Sequence, residues 1–143
     1  MKRREDIIWA RKSGVTILEV LVVLSVIALI SAVVGPRLIG YLGRAKSETA
    51  GLQINQIEQA VQLFYIDVGR YPSSSEGLGV LITAPAGEGS WSGPYLDDAA
   101  AIVDPWERDY IYSAPDENDV FSISTLGRDG STGGTGEDAD VAN

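Results

Sequence analysis

Glu19, and four acidic residues near the C-terminus (Asp129, Glu137, Asp138 and Asp140), are the side chains whose type and position could do chemistry. Glu19 is the single charge between Val15 and Val34. A carboxylate in hydrocarbon costs on the order of a few kcal/mol, so it must find a positive partner or reach for the interface. The acidic set lies in GRDGSTGGTGEDAD, residues 127–140. Glycines there let the backbone fold tightly and turn carbonyls inward, and the four acids offer hard oxygen ligands. Ser131, Thr132 and Thr135 could add hydroxyls. Calcium takes about six to eight such oxygens in flexible geometry. The spacing is not that of an EF-hand, and a solvated acidic tail is the other reading of the same residues.

The composition removes most other chemistry. The 143 residues include no Cys and no His. Disulfides, thiol nucleophiles, imidazole acid–base steps and Cys/His zinc sites are therefore excluded. No phosphate-binding loop is present, so any energy input must come from a partner. Residues 1–14 carry five basic and two acidic side chains, and residues 15–143 carry six basic and eighteen acidic ones. A domain that acidic is poorly suited to nucleic acid. It suits cations better, or is simply kept soluble by its charge. Trp91, Tyr95, Trp106, Tyr110 and Tyr112 are read as cover for a thin core. Ser74-Ser75-Glu76 and Lys46-Ser47 carry no catalytic arrangement.

These groups need elements to hold them. At about 1.5 Å per residue, the 20 residues Val15–Val34 form a helix that crosses a roughly 30 Å hydrocarbon core. Basic residues before the run favour a cytoplasmic N-terminus, and Arg37, Arg44 and Lys46 beyond it weaken that preference. Gly35-Pro36 ends the apolar run, and residues 35–43 are read as a flexible joint in one long helix or as a helix end. Ile54, Ile57, Val61, Phe64 and Val68 then recur at steps of three and four, which predicts an amphipathic helix over residues 41–68 capped by Gly69. SSEGLGVLITA predicts a short helix with Ser74 or Ser75 as N-cap. DYIYSA (109–114) and DVFSISTL (119–126), separated by PDEN, predict an antiparallel hairpin.

The N-terminal pattern is a basic leader ending in Gly14, then Val15, Thr16, Ile17, Leu18 and Glu19, then the apolar helix. It resembles the type IV pilin and pseudopilin signal. The resemblance implies cleavage after Gly14 by a prepilin peptidase and methylation of the new Val15 amine, although Phe is usual at that position. It also implies that Glu19, fifth in the mature chain, faces the terminal amine of a neighbouring subunit. Thr16, Glu19 and Pro36 would then serve assembly. Three further segments, DVGRYPSSSEGLGVLITAP (67–85), DPWERDYIYS (104–113) and TLGRDGSTGGTGEDADVAN (125–143), resemble the major pseudopilins of type II secretion systems. Glu107 departs from that pattern, since the loop often has Gly there, and the family's final Trp is missing.

The resemblance implies an α+β, type IV pilin-like fold: a long N-terminal helix, transmembrane in its first half, packed on a small antiparallel sheet. The organisation would be a leader (1–14), a membrane and filament-core helix (15–35) and a periplasmic domain (36–143). The function implied is that of a non-enzymatic subunit of a homopolymeric periplasmic filament that drives export of folded proteins. Its partners would be minor pseudopilins, an inner-membrane assembly platform with its ATPase, and lipid, with no nucleic acid. One bound calcium is also implied. Its ligands would be the Leu126 carbonyl, Asp129 and Asp138, with Thr135, Glu137 and Asp140 as further candidates. The other readings are a minor type IV pilin, a DNA-uptake pseudopilin, or a membrane-anchored calcium-binding module that does not polymerise.

Overall fold

A computed structural model describes residues 14–115 and 120–143. The leader and the tip of the predicted hairpin lie outside the described residues. Helix α1 runs Ile17–Val68 with Pro36 inside it, so residues 35–43 are helical and the chain does not end its helix there. The chain divides into two compact units, one reaching to Leu38 and the other Ile39–Asn143.

In the first unit every Val, Ile and Leu from Val15 to Val34 is exposed. The helix is long and apolar enough to cross a membrane, and none of its apolar window is buried. A helical segment that is apolar on all sides, and none of whose described apolar window is buried, suits lipid or other proteins as its solvent.

In the second unit α1 turns amphipathic. Ile54, Ile57, Val61 and Phe64 are buried to 2 % exposure or less, together with Ala50 and Ala60. Fully burying a side chain of this size contributes about 1.5–3 kcal/mol, which is why the stripe fixes the helix to its partner surface. That surface is a three-stranded antiparallel sheet, β1 (Ile111–Ser113), β2 (Ser122–Thr125) and β3 (Val141–Ala142), in the order β1-β2-β3. Tyr112 faces Ile123 across β1–β2, and Thr125 faces Val141 across β2–β3. Ile123, Phe121 and Tyr110 close the core from the sheet side, and Leu78, Val80 and Leu81 close it from the connecting segment. Tyr110 donates its hydroxyl to Gln53 Oε1 at 2.8 Å. Gly69 ends α1 as expected: at φ +79° its N–H reaches the Tyr65 carbonyl at 2.8 Å.

Two expectations are corrected. The segment after Pro72 is a 3-10 helix, Gly77–Leu81, and neither Ser74 nor Ser75 caps it. Glu76 instead reaches back to Ser73, accepting from its N–H at 2.9 Å and from its hydroxyl at 2.7 Å. Gly77 at φ +61° then prevents an ordinary helical start. The end of the chain is also more than a loop, because Val141–Ala142 adds the third strand.

Candidate functional site

At the N-terminal end, Gly14, Val15 and Thr16 precede the first helical residue, so the Gly14–Val15 bond lies outside α1. Thr16 is the residue just before the helix, and its hydroxyl accepts the Glu19 N–H at 3.1 Å. This satisfies one of the donors that a helix N-terminus leaves orphaned. The pattern T-x-x-E is a helix-start signature that could have been read from the sequence. It places the Glu19 carboxylate in the first turn, where the helix dipole favours negative charge. Among the described residues no basic group makes an ion pair with it.

At the other end of the chain, the acidic loop folds back on itself. The Arg128 N–H donates to the Glu137 carbonyl at 2.8 Å, joining the two halves of the loop. Gly127, at φ +62°, lies where an added Cβ would stand 2.7 Å from the Ala139 carbonyl, so only glycine permits the approach. Asp138 has both oxygens on Arg128, at 2.8 Å from Nε and 3.0 Å from Nη2. Glu137 accepts from Arg128 Nη1 at 3.4 Å and from Trp106 Nε1 at 3.2 Å. Its carboxylate lies over Gly43 of α1, where a Cβ would stand 2.7 Å from Oε2. Asp129 accepts the Ser131 N–H at 3.0 Å, and Asp140 accepts the Gly133 N–H at 2.9 Å. The Asp138 carboxylate, followed by Glu137, holds the Arg128 guanidinium above its ordinary pKa.

Six candidate calcium ligands are therefore distributed unevenly. Asp138 and Glu137 share Arg128, Asp129 holds the Ser131 N–H two residues on, Asp140 bridges back to Gly133, and Thr135 precedes the 3-10 turn Gly136–Asp138. Leu126 lines a cavity of about 220 Å³ with Arg108, Asp109, Ile111, Thr125 and, from the acidic loop, Gly130. Among the described residues, three acidic side chains nowhere converge on one point. The all-oxygen donor chemistry fits a hard cation, and Arg128 is the cation that the structure places against it.

Two further assemblies escaped sequence reasoning because they depend on fold-back. Arg70 grips Glu76 with both Nη atoms at 2.8 Å. The Arg70 guanidinium, and then the Ser73 N–H and hydroxyl, hold the Glu76 carboxyl down to about 2. This makes GRYPSSSEG a closed turn, and Tyr112 ties it to the sheet by donating to the Pro72 carbonyl at 2.9 Å. In DPWER, the buried Asp104 accepts the N–H groups of Trp106 and Arg108, each at 2.9 Å, and the Thr125 hydroxyl. Its own N–H donates to the Arg108 carbonyl at 2.7 Å.

An exposed apolar helix that begins just after a glycine, carries one acid in its first turn and continues into a small α+β domain defines a class, the pilin-like membrane-anchored subunits. The model for the prokaryotic N-terminal methylation motif matches residues 9–35, and the model for type II secretion system (T2SS) protein G matches residues 37–143. The chain belongs to the type II secretion system protein G family. The core protein G of Xanthomonas campestris pv. campestris is 33 % identical over 132 residues, covering 92 % of this chain and 90 % of that one. The Pseudomonas aeruginosa core protein G is 33 % identical over 147 residues, covering 100 % and 98 %. The crystal structure of the major pseudopilin from the type 2 secretion system of enterohaemorrhagic Escherichia coli shares the fold. Its TM-score is 0.59 at 23 % identity, over 74 % of this chain and 88 % of that one. The pilin-like fold and the membrane-anchoring N-terminal helix expected from the sequence stand on these findings.

Proposed function

We propose that the chain is the repeating structural subunit of a type II secretion pseudopilus. The observation that carries this reading is an apolar helix, exposed on every side, whose one carboxylate stands five residues after Gly14. A prepilin peptidase cuts after Gly14 and methylates Val15. The Glu19 carboxylate then meets the mature amine of a neighbouring copy. Leaving either buried charge alone is strongly unfavourable, so the pair selects one stagger between subunits. The domain stands in the periplasm and the leader in the cytoplasm. Minor pseudopilins and an inner-membrane platform with its ATPase supply initiation and energy, and the chain itself performs no reaction on a substrate and binds no nucleic acid.

Calcium is part of the same reading. Asp138, Asp129 and the Leu126 carbonyl hold it, with Thr135, Glu137 and Asp140 as further oxygen donors. When bound, the ion neutralises clustered carboxylates and stiffens the loop against α1.

The test is the intact mass of the protein purified from its native membrane. A mass matching residues 15–143 plus one methyl group is expected. A mass that retains residues 1–14, in cells with an active prepilin peptidase, would remove the amine that Glu19 is to meet and overturn the reading.

A further inference from the structure

Arg128 stands between two halves of an acidic loop and holds carboxylates that an ion would need. We propose that Arg128 is a built-in competitor for calcium: it closes the loop when no ion is present, and its guanidinium must leave Asp138 for an ion to bind. This rests on the calcium reading given above.

Three features support it. First, the fork on Asp138 uses both oxygens, at 2.8 and 3.0 Å, so an ion taking either oxygen meets an N–H already in place. A guanidinium and a divalent cation sharing one carboxylate also repel each other. Second, the Arg128 side chain is 54 % exposed, so it can swing into solvent without opening the core. Its backbone N–H is held by the Glu137 carbonyl at 2.8 Å, a bond that does not involve the guanidinium. Third, Glu137 keeps an independent hold, accepting from Trp106 Nε1 and lying against Gly43 of α1. The loop therefore stays seated on the helix while one cation replaces the other. The consequence is a subunit whose C-terminal loop remains ordered at low calcium and whose calcium affinity is lower than its donor set allows.

The experiment is calorimetric titration of calcium chloride into the full, metal-stripped chain in detergent micelles, with melting in ion-free buffer as a second readout. The variants are Arg128→Ala and Arg128→Lys. Arg128→Ala is expected to bind calcium about fivefold more tightly than the parent and to melt at a lower temperature only when the ion is absent. Arg128→Lys keeps the charge but loses the fork, so direct competition predicts tighter binding for it as well. Equal affinities for parent and Arg128→Ala overturn the competition and leave the calcium reading intact. Tighter binding in Ala but not in Lys also overturns it, because the effect is then the long-range field of the charge. No calcium binding by any of the three overturns the calcium reading, and the inference with it.

Discussion

Replacing Glu107 with glycine is expected to stabilise the domain. Glu107 is the sole non-glycine among the described residues at positive φ, standing at +67° in the DPWER turn. The turn fixes that angle. The Glu107 N–H donates to the Asp104 carbonyl at 3.0 Å while Asp104 holds both sides of the turn from within. A left-handed conformation costs an L-residue with a Cβ about 1–2 kcal/mol. Glycine escapes that cost but loses more backbone freedom on folding, about 0.5–1 kcal/mol. Among the described residues the Glu107 carboxylate makes no ion pair that would be lost. The net gain is therefore about 1 kcal/mol. For a domain near 100 residues this corresponds to a rise in Tm of about 4 °C. The assay is calorimetric unfolding of the full chain in detergent, comparing Glu107→Gly with Glu107→Ala. Alanine removes the carboxylate but keeps the Cβ, so it gains nothing from relieved strain. If the two variants melt together, the backbone is not held at positive φ and the reasoning fails.

Two other perturbations test the packing of the domain. Glu76 is held down to about 2 from an ordinary 4.5, first by Arg70 and then by Ser73, so its contribution is complete above pH 4.5 and lost as pH falls toward 2. Urea unfolding at pH 5 and pH 3 should show a parent advantage over Glu76→Gln of about 1 kcal/mol that shrinks at the lower pH; an advantage independent of pH would refute the assignment. Gly43→Ala and Gly51→Ala should differ in stability by about 1–3 kcal/mol although both gain helix propensity. A Cβ at Gly43 stands 2.7 Å from the anchored Glu137 carboxylate, and one at Gly51 makes an ordinary 3.9 Å contact with Val141. Equal urea midpoints would show that Glu137 is not seated there.

What could be read from the sequence followed from how local each signal is. The stripe Ile54, Ile57, Val61 and Phe64 repeats at the helical period, and each of the four is buried. The pairing of β1 with β2 was legible because both are rich in aromatic and β-branched residues and flank the polar sequence PDEN. Strand β3 was not, because two residues after a glycine-rich loop show no alternation. The short helix of SSEGLGVLITA was legible, but its start was misread, because the positive φ of Gly77 is invisible in a pattern of capping serines. At the candidate sites, Gly14 and Glu19 were singled out by their resemblance to the pilin signal, and the structure adds the Thr16 hydroxyl that accepts the Glu19 N–H. The pairing of Arg128 with Asp138, ten residues apart, was not, since it exists only once Gly127 lets the loop halves meet.

The two units of the chain meet different solvents, and this decides where assembly specificity must reside. The apolar helix is exposed along its length, so its side chains face either lipid or other copies. Moving a leucine from hydrocarbon to a helix bundle gains no hydrophobic energy, because lipid tails are as apolar as leucine. The fourteen Val, Ile and Leu residues of Val15–Val34 therefore permit a filament core without specifying its register. A group whose energy differs sharply between lipid and filament is needed for that. Glu19 is the only charge in the run, and a lone carboxylate in hydrocarbon costs a few kcal/mol, a cost that a well-placed positive partner offsets. In the proposed filament, the same residue that makes the isolated subunit unfavourable in lipid makes one arrangement of neighbours favourable. Glu19→Gln should accordingly leave membrane insertion intact while abolishing filaments seen by electron microscopy. Normal filaments from that variant would show that packing alone sets the register.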